Sequence, residues 1–380
     1  RVQLTNFRSY SSVVVEATAE PMVLVGPNGA GKTNFLEAIS LLAPGQGLRR
    51  APFSDLSAAD GDGGWSVAGR LHTALGVVDI GTGLARGGSG NGGGEGLRQG
   101  RIVRIDGEPH SGSGALADYV EMVWLTPAMD GLFTGPAGER RRFLDRLILC
   151  FDASYRTRVG RFERAMQSRN KLLADGVRDN ALIEGFEIAM AENGVAIAAQ
   201  RAEAVASLGQ VIARRRERDP ISLFPWADLA LEGALESELA NRPAVEVEDR
   251  YQRELKAVRE RDRGAGRALS GPHRSDLSVN HGPKSMPARL SSTGEQKALL
   301  YGIVLAHAEL VAERQNGLAP ILLLDEVTAH FDAERRTALF AEILRIGAQA
   351  WMTGTDKAAF EALAGRAQFR HVGEARIVPG

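Results

Sequence analysis

Alternating hydrophobic and polar positions occupy much of the N-terminal part of the chain and predict β-strands. Two such runs, at residues 2–5 and 13–17, precede an apolar run that begins at Met22. Further runs predict a meandering antiparallel sheet, at residues 65–71, 74–80 and 101–105. The connection at residues 81–100 is so rich in glycine that we expect a flexible hairpin tip.

A buried strand is predicted at residues 119–126, and the pattern then changes to helical spacing. No proline interrupts residues 137–219, where Arg, Ala, Leu and Glu recur at intervals of one helical turn. Two helical stretches, 137–174 and 180–217, therefore predict an antiparallel hairpin with Gly176 at its turn, each arm extending on the order of 50 Å. Later runs predict a strand near 229–231, a helix around 245–261 and a strand at 277–280.

The apolar run at Met22 is followed by a glycine-rich turn and an amphipathic helix. Gly26, Gly31, Lys32 and Thr33 fill the pattern G-x-x-x-x-G-K-[ST] without a gap. The glycines tolerate backbone angles that turn successive N–H groups inward, and the helix that opens at Lys32 points its positive end at an anion. The stretch therefore predicts a polyphosphate site in which Lys32 bridges the β- and γ-phosphates and Thr33 holds Mg²⁺. The alternative, a chance glycine-rich turn, does not explain the strand before it and the helix after it.

A second part of this site lies near the other end of the chain. The apolar run 321–324 ends in Asp325 and Glu326, a pair that phosphate-loop ATPases need on the strand beside the loop. Asp325 is predicted to bind Mg²⁺, and Glu326 is predicted to accept the proton of the attacking water. The ATPase core is therefore expected to be assembled from both ends of the chain, with the remainder inserted between them.

Residues 292–296 supply a third part of the site. A serine and a glycine at a helix start form an anion-binding terminus, although one ATP already has its own loop. The second terminus is therefore predicted to face the ATP of another subunit, and the alternative is a simple helix cap. Residues 328–332 are expected to lie along the dimer seam, and Thr353 or Thr355 is expected to sense the γ-phosphate.

Composition restricts the class of protein. The chain has 380 residues, of which 44% are hydrophobic, and this is enough for two or three domains with real cores. Because the formal net charge is −1, nucleic-acid binding must come from local basic patches. A single cysteine, Cys150, excludes an internal disulfide and fits a reducing compartment. With no apolar run of about 18 residues and no signal-peptide layout, we expect a cytoplasmic protein without a membrane partner.

Seven motifs follow one another along the chain. They are FRSY at 7–10, GPNGAGKTN at 26–34, GERRRFLD at 138–145, GPHRSDL at 271–277, STGEQK at 292–297, LLLDEV at 322–327 and TGTD at 353–356. Their order resembles that of the RecF family of bacterial DNA replication and repair proteins, relatives of ATP-binding-cassette ATPases and SMC heads. The resemblance spans essentially the whole chain. It implies a DNA-binding ATPase that forms an ATP-dependent homodimer, recognises double-stranded and gapped or single-stranded DNA, and loads recombinase with RecO and RecR.

The same resemblance implies an α/β fold and a role in DNA recombination and the SOS response. The fold is an ATP-binding-cassette P-loop ATPase head with an inserted helical arm domain. The head has a mixed sheet, flanking helices and an antiparallel β subdomain. The expected domains are 1–126 for the N-terminal part of the head, 127–270 for the arm and 271–380 for the C-terminal part of the head.

Carried over residue by residue, the resemblance assigns the site, with ATP and Mg²⁺ as cofactors. The cofactor-binding residues are Gly26, Pro27, Asn28, Gly29, Ala30, Gly31, Lys32, Thr33, Asn34, Ser292, Thr293, Gly294, Glu295, Gln296, Asp332 and Thr355. Thr33 and Asp325 are the expected metal ligands, and Lys32 and Glu326 are the expected catalytic residues. Residues 291–296 read SSTGEQ, where transporter ATPases carry the signature sequence LSGGQ. Thr353 or Thr355 stands where transporters place a switch histidine. Because of these two departures, hydrolysis is expected to be slow. No glutamine occurs at 123–128, where such ATPases often keep one.

Contacts with DNA are assigned less directly. Candidate arginines cluster at 140–142, at 158 and 161, and at 214–218, and the alternative is that they form solvated faces or intrahelical pairs. Near the loop, Tyr10 or Arg8 is a candidate nucleotide contact, with a packed Phe7 and solvated neighbours as the alternative. Arg49 or Arg50 is a candidate DNA or phosphate contact, with plain solvation as the alternative.

Rivals to an ATP-gated DNA clamp remain open. The long helical segment disfavours a transporter-type cassette, and a small-molecule kinase has no use for residues 292–296. A nucleotide-dependent scaffold that hardly hydrolyses ATP is disfavoured only if DNA stimulates turnover. The histidines show no ligand spacing, so a metal-dependent nuclease has no support.

Overall fold

In the computed structural model the described residues are 1–59, 61, 63–73, 76–85, 100–177, 179–329 and 331–380. They divide into two compact units, one combining Arg1–Met129 with Ala308–Gly380 and the other consisting of Asp130–His307. Most of the predicted hairpin tip, residues 86–99, lies outside the described residues. Within the described ranges, no helix is both long enough and apolar enough to cross a membrane.

The N-terminal third of the chain is mostly strands, the middle is mostly helices, and the C-terminal part contains both. The strands are β1 (Val2–Phe7), β2 (Tyr10–Val15), β3 (Met22–Val25), β4 (Trp65–Thr73), β5 (Gly76–Leu84), β6 (Ile102–Ile105), β7 (Glu108–His110), β8 (Met122–Leu125), β9 (Ala227–Glu232), β10 (Asp276–His281), β11 (Met286–Pro287), β12 (Ile321–Leu324), β13 (Ala350–Gly354), β14 (Gln368–Gly373) and β15 (Arg376–Pro379). The α-helices are α1 (Lys32–Ser40), α2 (Ala137–Ile148), α3 (Tyr155–Ala174), α4 (Asn180–Arg218), α5 (Ala234–Leu239), α6 (Ala244–Ala257), α7 (Arg259–Ala265), α8 (Thr293–Arg314) and α9 (Ala333–Ile346).

An antiparallel sheet in the first unit has the strand order β2-β1-β4-β5-β6-β7. Its register pairs Val2 of β1 with Val15 of β2. Alternate side chains such as Leu4, Val67 and Ile80 are buried, which explains why alternation in the sequence predicted these strands. The predicted meander is confirmed, and β5 continues past residue 80, its predicted end.

A mixed sheet in the same unit has the order β15-β14-β3-β13-β12-β8, in which only the β14–β15 pair is antiparallel. Strand β13 lies between β3, which leads into the glycine-rich turn, and β12, which ends at Asp325. In the register, Met352 of β13 faces Leu324 on one side and Val23 on the other. Helix α9 connects β12 to β13 as the crossover of a parallel pair. The carboxyl ends of β3, β13 and β12 therefore meet at one edge of the sheet.

The helical hairpin of the second unit is formed by α3 and α4, which pack against each other. Helix α3 ends before Gly176, whose φ of 69° is the left-handed conformation that glycine adopts at helix ends. Asp179 then caps α4 by accepting the N–H of Leu182 at 3.0 Å. Helix α4 has 39 residues and is about 58 Å long. The predicted hairpin and its turn are confirmed.

The first predicted helical stretch, 137–174, is wrong as a single helix, because it consists of α2 and α3. The Asp152 carboxylate accepts the N–H groups of Ser154 at 2.9 Å and Tyr155 at 3.2 Å. A short side chain that satisfies N–H groups in this way starts a new helix. The break therefore follows from a local hydrogen-bonding residue that leaves the apolar spacing unchanged.

A small antiparallel sheet in the second unit has the order β11-β10-β9, with Leu229 paired to Val279. The strands predicted at 229–231 and 277–280 are confirmed. Residues 271–307 belong to the second compact unit, whereas the predicted boundary between arm and head lies at 270/271. The division into domains at 126/127 and 270/271 stays a prediction.

Candidate functional site

The glycine-rich turn between β3 and α1 has the backbone geometry of an anion cradle. Gly29 and Gly31 have φ values of 81° and 107°. A Cβ atom at Gly31 would lie 2.9 Å from both the Ser9 Oγ and the Tyr10 hydroxyl, so only glycine fits there. Helix α1 begins directly after Gly31, and its first N–H groups are available to an anion.

Lys32 is buried, and its ammonium group lies over the turn. Its Nζ donates hydrogen bonds to the carbonyl oxygens of Gly26 at 2.7 Å and Pro27 at 2.8 Å. Burial lowers the pKa of Lys32 below its usual value, while the carboxylates of Glu326 and Asp325 oppose this effect. A phosphate group that enters the cradle would replace neutral carbonyl partners with a charged one, which strengthens the interaction.

Residues from the two ends of the chain meet at the start of α1. The Thr33 hydroxyl donates a hydrogen bond of 2.9 Å to Asp325 Oδ1, across 292 positions of sequence. Hydroxyl and carboxylate oxygens are the ligands that Mg²⁺ prefers, and Mg²⁺ usually completes its shell with water and phosphate oxygens. The donor set therefore fits Mg²⁺ bound together with a nucleotide. Among the described residues there is no group of three or more His, Cys, Asp or Glu side chains suited to a metal ion.

Glu326 follows Asp325 in an unusual conformation. Its φ is 50°, in the left-handed region that side-chain-bearing residues rarely adopt, and its side chain is exposed. Its backbone N–H donates a 2.7 Å hydrogen bond to the Thr353 hydroxyl. Thr353 in turn donates to Asp325 Oδ1 at 2.8 Å.

The two threonines considered as γ-phosphate sensors have different surroundings. Thr353 is fully buried within β13, whereas Thr355 follows the strand and is exposed. Sequence reasoning missed the link that Thr353 makes between the two acidic residues. The sequence did contain a signal for this link: Thr353 is a hydroxyl residue at the end of an otherwise apolar strand, and a buried hydroxyl needs hydrogen-bonding partners.

The FRSY turn packs against the glycine-rich turn and helix α1. The Tyr10 hydroxyl donates to the Gly31 carbonyl oxygen at 3.1 Å, and its ring is buried. Arg8 makes a bidentate pair with Glu37 of α1, at 3.0 and 3.1 Å. Arg49 also donates to Glu37, at 3.1 Å. These three side chains are candidate ligand contacts from the sequence, and in the fold Arg8 and Arg49 bind α1 while Tyr10 binds the turn before it.

Asn34 joins the same group of side chains. Its Nδ2 donates to the Ser9 Oγ at 3.1 Å, and its Oδ1 accepts from Arg49 at 2.8 Å. Glu37, which no pattern in the sequence singled out, is buried and shared by the two arginines. The signal was a carboxylate on the apolar face of an amphipathic helix, where an unpaired charge is costly.

Residues 292–296 form the start of α8 in the second unit. The Ser292 N–H donates to Glu295 Oε2 at 3.0 Å, and the Glu295 N–H donates to Ser292 Oγ at 3.4 Å, which is a capping box. Lys284 also pairs with Glu295, at 2.5 Å. The hydrogen bonds from Lys284 and from the Ser292 backbone lower the pKa of Glu295 to about 2.

The rest of this segment is divided between surface and interior. Ser292 and Thr293 are exposed, Gly294 is half-buried, and Gln296 is buried with its amide donating to the Ser291 carbonyl at 2.8 Å. In the first unit, Asp332 caps α9 by accepting the Arg335 N–H at 2.8 Å. Ser292 and Asp332 thus both cap helices, and nucleotide contact by either segment stays a prediction.

The motifs GERRRFLD and GPHRSDL are brought together within the second unit. Arg140 makes a bidentate pair with Asp276 at 2.7 and 2.8 Å. Arg141 donates to the Ser275 carbonyl at 2.6 Å, and Arg142 pairs with Glu139 one turn away. Arg142 makes the intrahelical pair given as the alternative, whereas Arg140 and Arg141 bind another segment of this unit. DNA contact by this cluster stays a prediction.

The other arginine clusters are also partly engaged. Arg158 pairs with Asp152 at 3.2 Å, and the guanidinium of Arg216 lies 4.1 Å from the centre of the Trp226 ring. Arg161 is exposed. DNA contact by these residues stays a prediction.

Comparison with known proteins gives one consistent result. The family model described as "AAA domain" matches residues 1–62. The DNA replication and repair protein RecF of Mesorhizobium japonicum is 52% identical over 379 residues, covering 100% of this chain and 97% of the relative. RecF of Brucella abortus is 50% identical over 378 residues, covering 99% and 95%.

Solved structures give the same fold. The recombination mediator protein RecF-ATPrS of the RecFOR pathway superposes with a TM-score of 0.84 at 21% identity, covering 100% of this chain and 96% of the other. The SMC head domain of Pyrococcus furiosus, bound to the C-terminal domain of ScpA, has a TM-score of 0.54 at 15% identity, with coverages of 99% and 94%. These likenesses confirm the expected ATPase-head fold.

Proposed function

The chain belongs to the RecF family of DNA replication and repair proteins, and from that premise we propose that it is an ATP-gated DNA clamp. Two copies hold two ATP molecules between them, the paired surface binds DNA, and hydrolysis releases it. The DNA is gapped or contains a junction of single and double strands. RecO- and RecR-like proteins act with the clamp to load recombinase.

The contact between Thr33 and Asp325 carries this proposal, because it joins the cradle to the strand from the far end of the chain. Lys32 and the N–H groups of the turn bind and orient the phosphates. Thr33 and Asp325 hold Mg²⁺, which when bound neutralises charge on the phosphate oxygens. Glu326, exposed beside them, accepts the proton of the attacking water. The solved relative named as a RecF-ATPrS complex supports ATP as the nucleotide.

In the clamp, residues 292–296 engage the ATP of the partner copy. The exposed Ser292 and Thr293 at the start of α8 support this role, because a helix start presents N–H groups to an anion. Turnover is weak, because Thr355 offers no imidazole at the position of the switch histidine of transporters. DNA stimulates this turnover. DNA binding uses arginines that contact phosphates, so it weakens as salt rises.

The molecular mass in solution, with and without Mg-ATP and a short gapped duplex, tests the clamp. We expect an ATP-dependent doubling of the mass and tighter DNA binding by the doubled species. A mass that stays monomeric under every condition would contradict the clamp. Nucleotide binding without doubling or turnover would favour the scaffold that hardly hydrolyses ATP.

Ser292→Arg tests the contact with the partner's nucleotide. The long cation at the start of α8 should block dimerisation and leave ATP binding intact. Asp179→Arg is the matched control, because it also removes an N-cap side chain, from α4. If Ser292→Arg still dimerises with ATP as the control does, the role of residues 292–296 in trans is wrong.

A further inference from the structure

Thr353 lies in the strand between the one that leads into the glycine-rich turn and the one that ends at the acidic pair. Strand β13 lies between β3 and β12, and Thr353 pairs with Leu24 of β3 in the register. Its hydroxyl lies 2.8 Å from Asp325 Oδ1 and 2.7 Å from the Glu326 backbone nitrogen. The side chain is fully buried.

Both hydrogen-bonding functions of this hydroxyl are in use. Its single proton is donated to the Asp325 carboxylate, and one lone pair accepts the N–H of Glu326. A fully buried group with these partners is not available to a γ-phosphate, so Thr353 does not act as the sensor expected from the sequence. Thr353 instead binds the expected metal ligand and the expected base into one unit.

The backbone conformation of Glu326 depends on constraints such as this hydrogen bond. A residue with a side chain at φ 50° is held in a disfavoured conformation, which persists only when its surroundings impose it. The hydrogen bond from the Glu326 N–H to Thr353 is such a constraint.

The Asp325 carboxylate has two hydroxyl donors on the same oxygen. Thr33 donates to Oδ1 at 2.9 Å, and Thr353 donates to it at 2.8 Å. Thr33 is the donor expected to turn to the metal when nucleotide binds. Thr353 is then the donor that still orients the carboxylate, in the way that outer hydrogen-bonding partners orient metal ligands generally.

We propose that Thr353 is a positioning residue: it orients the Asp325 carboxylate for the metal, and it holds the Glu326 backbone so that the Glu326 carboxylate is placed to accept a proton. The proposal rests on the proposed ATPase function and adds to it the residue that couples the two acidic groups. It is separate from nucleotide binding itself, because Thr353 contacts neither the glycine-rich turn nor Lys32 through its hydroxyl.

Thr353→Val tests the proposal, since valine keeps the shape and removes both hydrogen bonds. The probes are the affinity for Mn²⁺ in the presence of ATPγS, followed by electron paramagnetic resonance, and the kcat and KM for ATP. We expect the Mn²⁺ affinity and kcat each to fall about 10- to 100-fold. The KM for ATP, and the affinity for ATPγS measured in the presence of EDTA, should change little. The conservative variant Thr353→Ser should keep the Mn²⁺ affinity and the kcat of the unaltered chain.

Thr82→Val is the matched control. Thr82 is also a buried threonine, and its hydroxyl donates to the Ile102 carbonyl at 3.0 Å and accepts from Arg101 at 2.7 Å. It lies in β5 of the antiparallel sheet. This variant should lose thermal stability without losing Mn²⁺ affinity.

The possible outcomes distinguish failure of the positioning role from failure of the proposed ATPase function. If the unaltered chain binds and hydrolyses ATP and Thr353→Val keeps its Mn²⁺ affinity and kcat, the positioning role is overturned while the ATPase function stands. If the unaltered chain neither binds ATPγS nor hydrolyses ATP, both fail. Should Thr353→Val not fold, Thr353→Ala replaces it with the same expectation, and an unchanged Mn²⁺ affinity in that variant overturns the proposal.

Discussion

Replacing Arg201 by leucine tests whether the two family motifs of the second unit serve the fold. Arg201 lies in α4 and is 4% exposed. It donates to both carboxylate oxygens of Asp145 at 2.9 and 3.0 Å, to the Pro272 carbonyl at 2.6 Å and to the Ser275 hydroxyl at 2.9 Å. One guanidinium therefore ties residues 138–145 to residues 271–277.

The loss of stability expected for Arg201→Leu follows from the Asp145 carboxylate, which loses its cationic partner. Breaking a buried ion pair by removing one partner costs about 3–5 kcal/mol, because the other charge is left uncompensated. The Asp145 side chain is 22% exposed and keeps the Tyr155 hydroxyl as a donor, so we expect the lower end of that range. A loss of about 3 kcal/mol corresponds to a fall in Tm of about 6–12 °C for a unit of this size. Leucine fills part of the volume and limits the contribution of a cavity.

Calorimetric melting of the full chain measures this effect. Arg242→Leu is the control, because its pair with Glu246 is 42% and 48% exposed and such pairs contribute about 0–1 kcal/mol. DNA affinity measured well below both transitions should be the same for the two variants. If Arg201→Leu melts together with the control but binds DNA more weakly, the reasoning is refuted, and this motif cluster is a ligand site.

The remaining predictions concern the two helix starts and the acidic pair. Glu326→Gln should lengthen the lifetime of the ATP-bound dimer, followed by light scattering after ATP is chased, because the base that permits release is lost; unchanged ATP hydrolysis would remove Glu326 from that role. Lys32→Arg should weaken nucleotide binding in a fluorescence titration, because the longer planar cation does not fit between the carbonyls of the turn. Lys284→Ala should raise the pKa of Glu295 from about 2 towards 4.5, followed by NMR titration. Since the folded-state pKa is lowered, the stabilisation is present above about pH 4.5 and is lost as the pH falls towards 2; an unchanged titration in the variant would contradict the assigned cause.

Local patterns in the sequence predicted local structure well. The turn at Gly176, the glycine-rich turn before α1 and five strands of the antiparallel sheet occur where helical spacing, glycine positions or alternation indicated them, whereas β7 had no predicted counterpart. Each of these features depends on residues within a few positions of one another. The break between α2 and α3 was missed, because the Asp152 carboxylate acts on two backbone groups without disturbing the apolar spacing.

Contacts between distant segments were predicted only where a family motif pointed to them. The meeting of Thr33 with Asp325 was expected, but the insertion of β13 between their strands was not. The bidentate pair of Arg140 with Asp276 was also not expected, since an arginine cluster in sequence carries no information about its partner. Pairings of this kind depend on strand order and on which helix faces meet, and neither is written in any short window of residues.

The sequence by itself determined the family, the ATPase-head fold and the identity of the residues expected to meet a nucleotide, because motifs of fixed spacing specify backbone geometry locally. Only the tertiary structure decided what those residues contact in the folded chain. It made Thr353 a link between Asp325 and Glu326, and it placed Arg8 on Glu37. The physical reason is that a buried polar group takes its role from the partner that satisfies it, and folding alone brings the two together.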